Sequence, residues 1–300
     1  MGRPIKRFSI YLIVRLTAFI LLLVPIRFAV FLGGSLGFLL FYLIKSQREP
    51  AIENLKNAFK NEKAESEIYR IARKVFFNIG KSAAEFISFP KINKYNIDKF
   101  VKATGLEKLD KALEDKKGVI ILSCHLGNWE LSAAYVGLKG YHSNAIVRPL
   151  RYERFDRLVN SFRISKGIGI IGRDSSFKKI LSLLKANEIV GILPDQDIDS
   201  VDGVFVNFFN QPAYTPKGPV ALAMASGAPI IPIFCIRENN THNLIIESPI
   251  KLEITGDREK DIIVNTQKWT DVVEKYIRQY PEQWVWMHRR WKTQLVTPTR

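Results

Sequence analysis

The sequence predicts an α/β fold, with a largely parallel central sheet flanked by helices and a membrane helix at the N-terminus. Three observations carry this reading. Short β-rich runs recur from about residue 118 onward, helical stretches separate several of them, and residues 8–44 are almost wholly apolar. Strands and helices alternating at this spacing build a parallel sheet that is covered on both faces.

The chain opens on a short basic stretch from Met1 to Arg7, followed by the apolar region, which Arg15 and Arg27 interrupt. Residues 28–44 (FAVFLGGSLGFLLFYLI) carry no charge. At ~1.5 Å per residue they would cross most of a ~30 Å hydrocarbon core. Pro25 and Arg27 divide the region, so it reads as one spanning helix plus an interfacial one, or as a tilted hairpin. A cleavable signal peptide is not expected. No small-residue cleavage site follows, and Lys45, Arg48 and Glu49 come next. Lys6 breaks the myristoylation pattern. The domain reading is an anchor over 1–45 and one α/β domain over 46–300, with no internal repeat or low-complexity linker.

Residues 50–90 read as amphipathic helix. Ile68, Ile71, Ala72, Val75, Phe76, Ile79, Ala83 and Phe86 recur at helical spacing. Strands are expected at 118–123, 144–148, 168–171, 189–193, 229–235 and 243–247. Helices are expected at 128–139, 154–166, 174–186, 216–227 and 260–280.

Composition narrows the partner. The apolar share is 47%, yet 25% of residues are charged, so apolar residues must be concentrated, and the N-terminus is where they lie. Lys and Arg number 45 against 29 acids, a net charge of +16. That surplus favours an anionic lipid, an acidic protein or a nucleic acid. No nucleic-acid-binding module is recognisable, so nucleic acid is not expected. Cys124 and Cys235 have neither zinc-like spacing nor the number for a disulfide framework, which fits a reduced, cytoplasmic setting.

The run 119–130 (VIILSCHLGNWE) carries the chemistry. An apolar strand ends at His125, Gly127 permits a turn, and Asn128 suits the N-cap of the next helix. Ligands of open α/β sheets gather at the carboxyl ends of strands, where His125 falls. His125 and Glu130 would point about 140° apart on one helix, so they converge only if Gly127 breaks the chain. An alcohol becomes a useful nucleophile when a histidine takes its proton and a carboxylate orients the ring or stabilises its charge. The string Gly-x-Ser-x-Gly occurs only at 33–37, inside the apolar anchor and without strand-to-helix context, and neither cysteine has an activated setting. A substrate hydroxyl is therefore expected to attack directly, without an acyl-enzyme and without a cofactor. A mixed metal site of His125, Glu130, Asp195 and Asp197 is the weaker alternative.

Residues 148–185 hold ten Lys or Arg and three acids, Glu153, Asp156 and Asp174. Arg151, Arg154 and Arg157, spaced at i+3, fall along one helix face and suit an anionic substrate or an acidic carrier. Arg148 follows the strand after the histidine strand and is placed to stabilise an oxyanion. Near the C-terminus, Trp284, Trp286 and Trp291 with His288, Arg289 and Arg290 suit either a bilayer interface or core packing.

These residues together resemble a known family. His125-Leu-Gly-Asn-Trp-Glu130 is similar to the His-x4-Asp/Glu signature of the lipid A biosynthesis (lauroyl/myristoyl) late acyltransferases, distant relatives of the glycerolipid acyltransferases in the lysophospholipid acyltransferase superfamily. Arg148-Pro149, Leu193-Pro-Asp195-Gln-Asp197, Gly203–Phe209 with Thr215-Pro-Lys-Gly218, and Pro281–Trp291 resemble that family's further motifs, in order along nearly the whole chain. Asn210 stands where the family usually has Gly, and Trp284 where it often has Tyr. The resemblance implies a glycerolipid-acyltransferase-like fold and acyl transfer from acyl carrier protein to a hydroxyl of a phosphorylated lipid A precursor. It also implies a bacterial inner membrane location with the α/β domain on the cytoplasmic side. A branch of the superfamily uses acyl-CoA and acylates phosphatidylinositol mannosides, so an acyl-CoA donor and another glycolipid or phospholipid acceptor stay open. So do a lipid hydrolase using the same dyad and a catalytically silent membrane-surface binding protein. The expected site is His125 and Glu130 as catalytic pair, with Arg148, Arg151, Arg154 and Asn128 at the substrate; Asp195 joins them from the resemblance alone.

Overall fold

The computed structural model describes residues 2–175, 177–198 and 200–295, with backbone alone for residues 2–10 and 13. Met1 and the side chains of the basic opening stretch lie outside the described residues. Helix α1 (Gly2–Leu23) and helix α2 (Ile26–Leu43) are separated at Pro25, as the proline predicts. Helix α3 (Lys45–Phe59) leads into α4 (Glu65–Ile87), which buries Ile68, Ile71, Ala72, Val75 and Phe76. The expected stripe slips at its end, where Ala84 is buried and Ala83 faces solvent.

The α/β part follows as β1 (Val101–Thr104), α5 (Leu106–Glu114), β2 (Val119–Leu122), α6 (Trp129–Leu138), β3 (Ser143–Val147), α7 (Glu153–Ile164), β4 (Ile168–Gly172), α8 (Phe177–Lys185) and β5 (Ile189–Ile192). A hairpin of β6 (Gly203–Phe208) and β7 (Gln211–Pro216) comes next, then α9 (Gly218–Ser226), β8 (Ile230–Glu238), β9 (Thr241–Ile246) and α10 (Arg258–Gln279). Among the described residues the central sheet has seven strands in the order β1-β9-β8-β2-β5-β3-β4, parallel throughout except for β8 against β9. Every expected strand and helix is present. β1 and the β6–β7 hairpin were not expected: β1 (VKAT) is short and half polar, and Pro212 and Pro216 in β7 read against a strand.

Strand β2 explains the continuous apolar run. Ile120 and Leu122 enter a core beneath α3, α4, α9 and α10, whereas Val119 and Ile121 enter a second core beneath α5 and α6. Successive side chains alternate between faces, and here both faces are buried. The C-terminal tryptophans prove to be core: Trp284 and Trp286 are fully buried and stack edge-to-face at 4.6 Å.

The hairpin also accounts for Asn210. Phe209 and Asn210 both have positive φ (53° and 57°), as a two-residue primed turn requires, and asparagine tolerates that conformation almost as well as glycine. Phe209 is held in it by its buried ring against Phe59 and Trp286 and by donation of its N–H to Glu274 Oε2 at 2.6 Å.

Helix α2 docks along α4 through glycine. A Cβ on Gly80 would lie 2.1 Å from the carbonyl oxygen of Gly33, and one on Gly37 would lie 2.2 Å from that of Phe76. At the far end Phe41 is fully buried between Tyr69 and Phe76, with ring centroids 5.1 and 5.3 Å away. Helices α2 and α4 therefore share a tightly packed interface. Gly80→Ala is expected to cost about 1–3 kcal/mol, because the clash is with backbone and cannot be relieved by a rotamer. Gly218→Ala, where nothing lies within 4 Å, should cost nothing. Thermal unfolding in detergent checks this: equal Tm values for the two variants would contradict the packing argument.

Candidate active site

The order of the sheet turns around β2. The chain leaves β2 towards β3 and β4 on one side, returns through β5 beside β2, and then crosses to β8 on the other side. Crevices that bind ligands form at such a reversal, beyond the carboxyl ends of the strands. Leu122 of β2 pairs with Ile192 of β5. His125 and Asp195 each lie three residues beyond that pair, so register alone brings them together.

The turn after β2 is clamped. Gly127 has φ +64°, and a Cβ there would sit 2.0 Å from the Cys235 carbonyl oxygen, so only glycine fits. Its N–H donates to Gln283 O at 3.0 Å, Asn128 N–H donates to Cys235 O at 2.9 Å, and Val285 N–H donates to His125 O at 3.0 Å. β8 and the C-terminal segment thus grip the loop from two directions.

The ring of His125 is oriented by Asp195. His125 Nδ1 lies 2.8 Å from Asp195 Oδ1, and the His125 backbone N–H donates to Oδ2 at 2.9 Å. The Trp284 indole N–H donates to the same Oδ2 at 2.8 Å. Burial alone would push the imidazole down, but the charge and hydrogen bond of Asp195, with the charge of Glu130, hold His125 above its ordinary pKa. Burial would likewise push the Asp195 carboxyl up, yet His125 and the donated N–H groups bring it down to about 2.

Glu130 sits elsewhere than expected. It forms a two-pronged pair with Arg163, whose Nε and guanidinium nitrogen donate at 3.0 and 2.5 Å, and its charge reaches His125 without a hydrogen bond to the ring. The physical reason is direction: Glu130 is in the first turn of α6, facing α7, which supplies Arg163. Arg148, Arg173, Gln196, Asp197, His288 and Lys292 join His125, Glu130 and Arg163 around a cavity of about 790 Å³. Its remaining wall is apolar, including Ile146, Phe177, Ile180, Ile192 and Leu222. Among the described residues no group of three or more His, Cys, Asp or Glu side chains is arranged to hold a metal. Burial pushes both cysteine thiols up, so neither is a ready nucleophile.

Three residues expected at the substrate lie outside the cavity wall. Asn128 is buried and its amide is committed twice: Oδ1 accepts from Leu131 N–H at 3.0 Å as the N-cap of α6, and Nδ2 donates to Glu85 at 2.6 Å. It builds the loop and does not face the cavity. Arg151 is exposed and outside the cavity wall. Arg154 lies over the ring of Tyr11 at 6.0 Å, in a separate hollow between α1 and α7. The helical spacing was right for α7, but the face carrying Arg154 looks towards α1.

Sequence reasoning missed Glu85, which lies on α4 beneath the histidine loop. Its carboxylate pairs with Arg237 at 2.5 and 2.8 Å, lies 3.4 Å from His242, and accepts from Asn128. Those charges and bonds overcome the cost of burial and bring its pKa down to about 2. A lone acid on an amphipathic helix gives no such signal; only Arg237, at the end of an apolar strand, hinted at a buried partner.

Comparison with known proteins places the chain among acyltransferases. The family model described as bacterial lipid A biosynthesis acyltransferase matches residues 3–293. The chain is 27% identical to the lipid A biosynthesis acyltransferase of Haemophilus influenzae, over 90% of this chain and 84% of that one. It is 26% identical to the lipid A biosynthesis palmitoleoyltransferase of Escherichia coli, over 89% and 85% of the two chains. It is 24% identical to the phosphatidylinositol mannoside acyltransferase of Mycobacterium tuberculosis, over 74% and 70%.

The buried pair yields a stability prediction. Glu85→Ala leaves Arg237 buried without its carboxylate, a loss expected to cost about 3–5 kcal/mol. Adding Arg237→Met should recover part of it, since no buried charge is then left unpaired. Denaturant unfolding of the two variants decides: a double variant no more stable than the single one would show that the pair is not coupled.

Proposed function

The chain belongs to the bacterial lipid A biosynthesis acyltransferase family and is an acyltransferase; on that premise we propose that it moves a fatty acyl group from acyl carrier protein to a hydroxyl of an anionic, phosphorylated lipid A precursor. The observation that carries the mechanism is the His125–Asp195 pair, with His125 in the wall of a cavity lined by basic side chains, among them Arg148 and Arg173, and by apolar ones.

Asp195 fixes the Nδ1 side of the ring, leaving Nε2 for proton transfer. Neutral His125 takes the proton of the acceptor hydroxyl as its oxygen attacks the thioester carbonyl. The tetrahedral oxyanion then collapses, the carbon–sulfur bond breaks, and the imidazolium returns the proton to the departing thiolate. Asp195 stabilises the imidazolium in between. Glu130 contributes charge to His125 and holds Arg163 in the wall, while Arg148 and Arg173 are the cations suited to the oxyanion or to acceptor phosphates. Arg173 supports this reading, because one of its guanidinium nitrogens is buried without a hydrogen-bond partner among the described residues. The apolar wall suits the acyl chain. A net charge of +16 suits an acidic carrier protein and an anionic leaflet, here the cytoplasmic face of the inner membrane.

The experiment is mass spectrometry of lipid A from cells with and without the gene, with rates in vitro from acyl carrier protein and acyl-CoA donors. Loss of one acyl chain and preference for the carrier-protein donor are expected. Faster transfer from acyl-CoA would reassign the donor. His125→Ala should lower turnover by ~10²-fold or more.

The pH profile tests the pair. A base works deprotonated, so the rate should fall as pH drops through the raised pKa of His125. Asp195→Asn removes the charge that raises it. Its acid limb should therefore move to lower pH while the plateau falls by roughly 10²–10⁴-fold. An acid limb at the wild-type pH in Asp195→Asn would break the assignment.

A further inference from the structure

We propose that α1 and α2 lie in the plane of an anionic leaflet, on the same side as the α/β body, and that neither helix crosses the bilayer. The inference rests on the membrane-bound reading above and specifies its geometry.

By length and composition α2 qualifies as a span: its 18 residues extend about 27 Å, close to a ~30 Å hydrocarbon core. Its contacts contradict that orientation. At its start, Lys91 Nζ donates to the Val24 carbonyl. At its end, Arg48 donates to the carbonyls of Phe41 and Tyr42 at 3.3 and 3.2 Å. Between these points the glycines of α2 sit against Phe76, Phe77 and Gly80 of α4. The protein body thus runs beside α2 from one end to the other.

The body cannot follow α2 into hydrocarbon. On its other side α4 is built into the site: Asn78 donates to Glu282 O at 2.9 Å, and Glu85 pairs with Arg237. Arg73, Lys74 and Lys81 lie along its length. A spanning α2 would draw all of these to bilayer depth, where charged groups are strongly disfavoured.

The outward faces of α1 and α2 fit the interface. Phe28, Phe31, Leu36 and Leu39 are 50–60% exposed and fall within one arc of α2, opposite the glycine face. Leu16 and Phe19 of α1 are 61% and 60% exposed. An apolar face on one side and protein on the other describes a helix lying in the headgroup–acyl boundary. Charge supplies the partner's chemistry. Arg15 of α1 and Arg154 and Arg157 of α7 surround a hollow of about 430 Å³, with Arg157 also paired to Glu153 at 3.1 Å. Basic residues bordering an apolar face favour an anionic phospholipid surface.

The test uses the full chain in membranes, with Arg27→Cys and Lys45→Cys as separate variants at the two ends of α2; the native Cys124 and Cys235 are buried. A membrane-impermeant maleimide is applied to spheroplasts and to inverted vesicles. Both positions are expected to label only in inverted vesicles, as should Tyr95→Cys on the body, where Tyr95 is 83% exposed. Labelling of position 27 from the opposite face, or from neither, would overturn the in-plane arrangement. A chain that does not sediment with membranes would instead overturn the membrane-bound reading. For the charged border, Arg154→Glu with Arg157→Glu should weaken binding to phosphatidylglycerol vesicles by ~10-fold or more, with binding to phosphatidylcholine vesicles unchanged. Equal losses on both would remove the headgroup contact.

Discussion

One buried carboxylate holds the site together. Asp195 reaches the ring and the backbone N–H of His125 and accepts the Trp284 indole, so the ends of β2 and β5 and the C-terminal segment meet on two oxygen atoms. An ionised carboxylate at this depth is tolerable only because two N–H donors and the imidazole surround it. The requirement runs both ways. The loops must close to keep the charge satisfied, and the charge fixes which way the imidazole points.

A second buried carboxylate repeats the device one layer below. Glu85 ties α4 to β8 through Arg237 and to the cap of α6 through Asn128. Because α2 packs on the opposite face of α4 with backbone-to-backbone closeness, the apolar hairpin and the histidine loop are two contacts away from each other. The exposed apolar face of α2 is thus held in fixed relation to the cavity. That relation matters if the acceptor is drawn from the leaflet proposed to receive that face.

The sheet was legible because its strands are short apolar runs with helices between them, and β2 shows why such runs lack alternation: both of its faces are core. The tight turn at Gly127 and the cap at Asn128 were legible too, since each depends on a local conformation that few residues adopt. The partner of His125 was not legible from local spacing. Glu130 is near in sequence, but α6 carries it towards α7, whereas Asp195, seventy positions away, is brought in by strand register. What the sequence did offer was an acid three residues beyond another apolar strand. Reading it required knowing that β5 lies beside β2, which the crossover topology decides and composition does not. Arg154 shows the converse, because helical spacing says which residues share a face and not that this face meets α1.

The five-residue spacing of His125 and Glu130 still has a physical use, different from a hydrogen-bonded dyad. Two carboxylates near one imidazole would each claim the ring if both were unpaired. Arg163 removes that competition by occupying both oxygens of Glu130, so Asp195 alone directs Nδ1 while Glu130 acts on His125 through its charge. The same pairing anchors a cation in the cavity wall, to which Arg148 and Arg173 also belong. On the proposed mechanism negative charge gathers on the thioester carbonyl oxygen while His125 becomes positive, so carboxylates near the base and cations elsewhere in the cavity wall both favour the transfer. A single short turn after β2 brings both residues to the cavity wall, because Gly127 lets the chain reverse between the histidine and the glutamate.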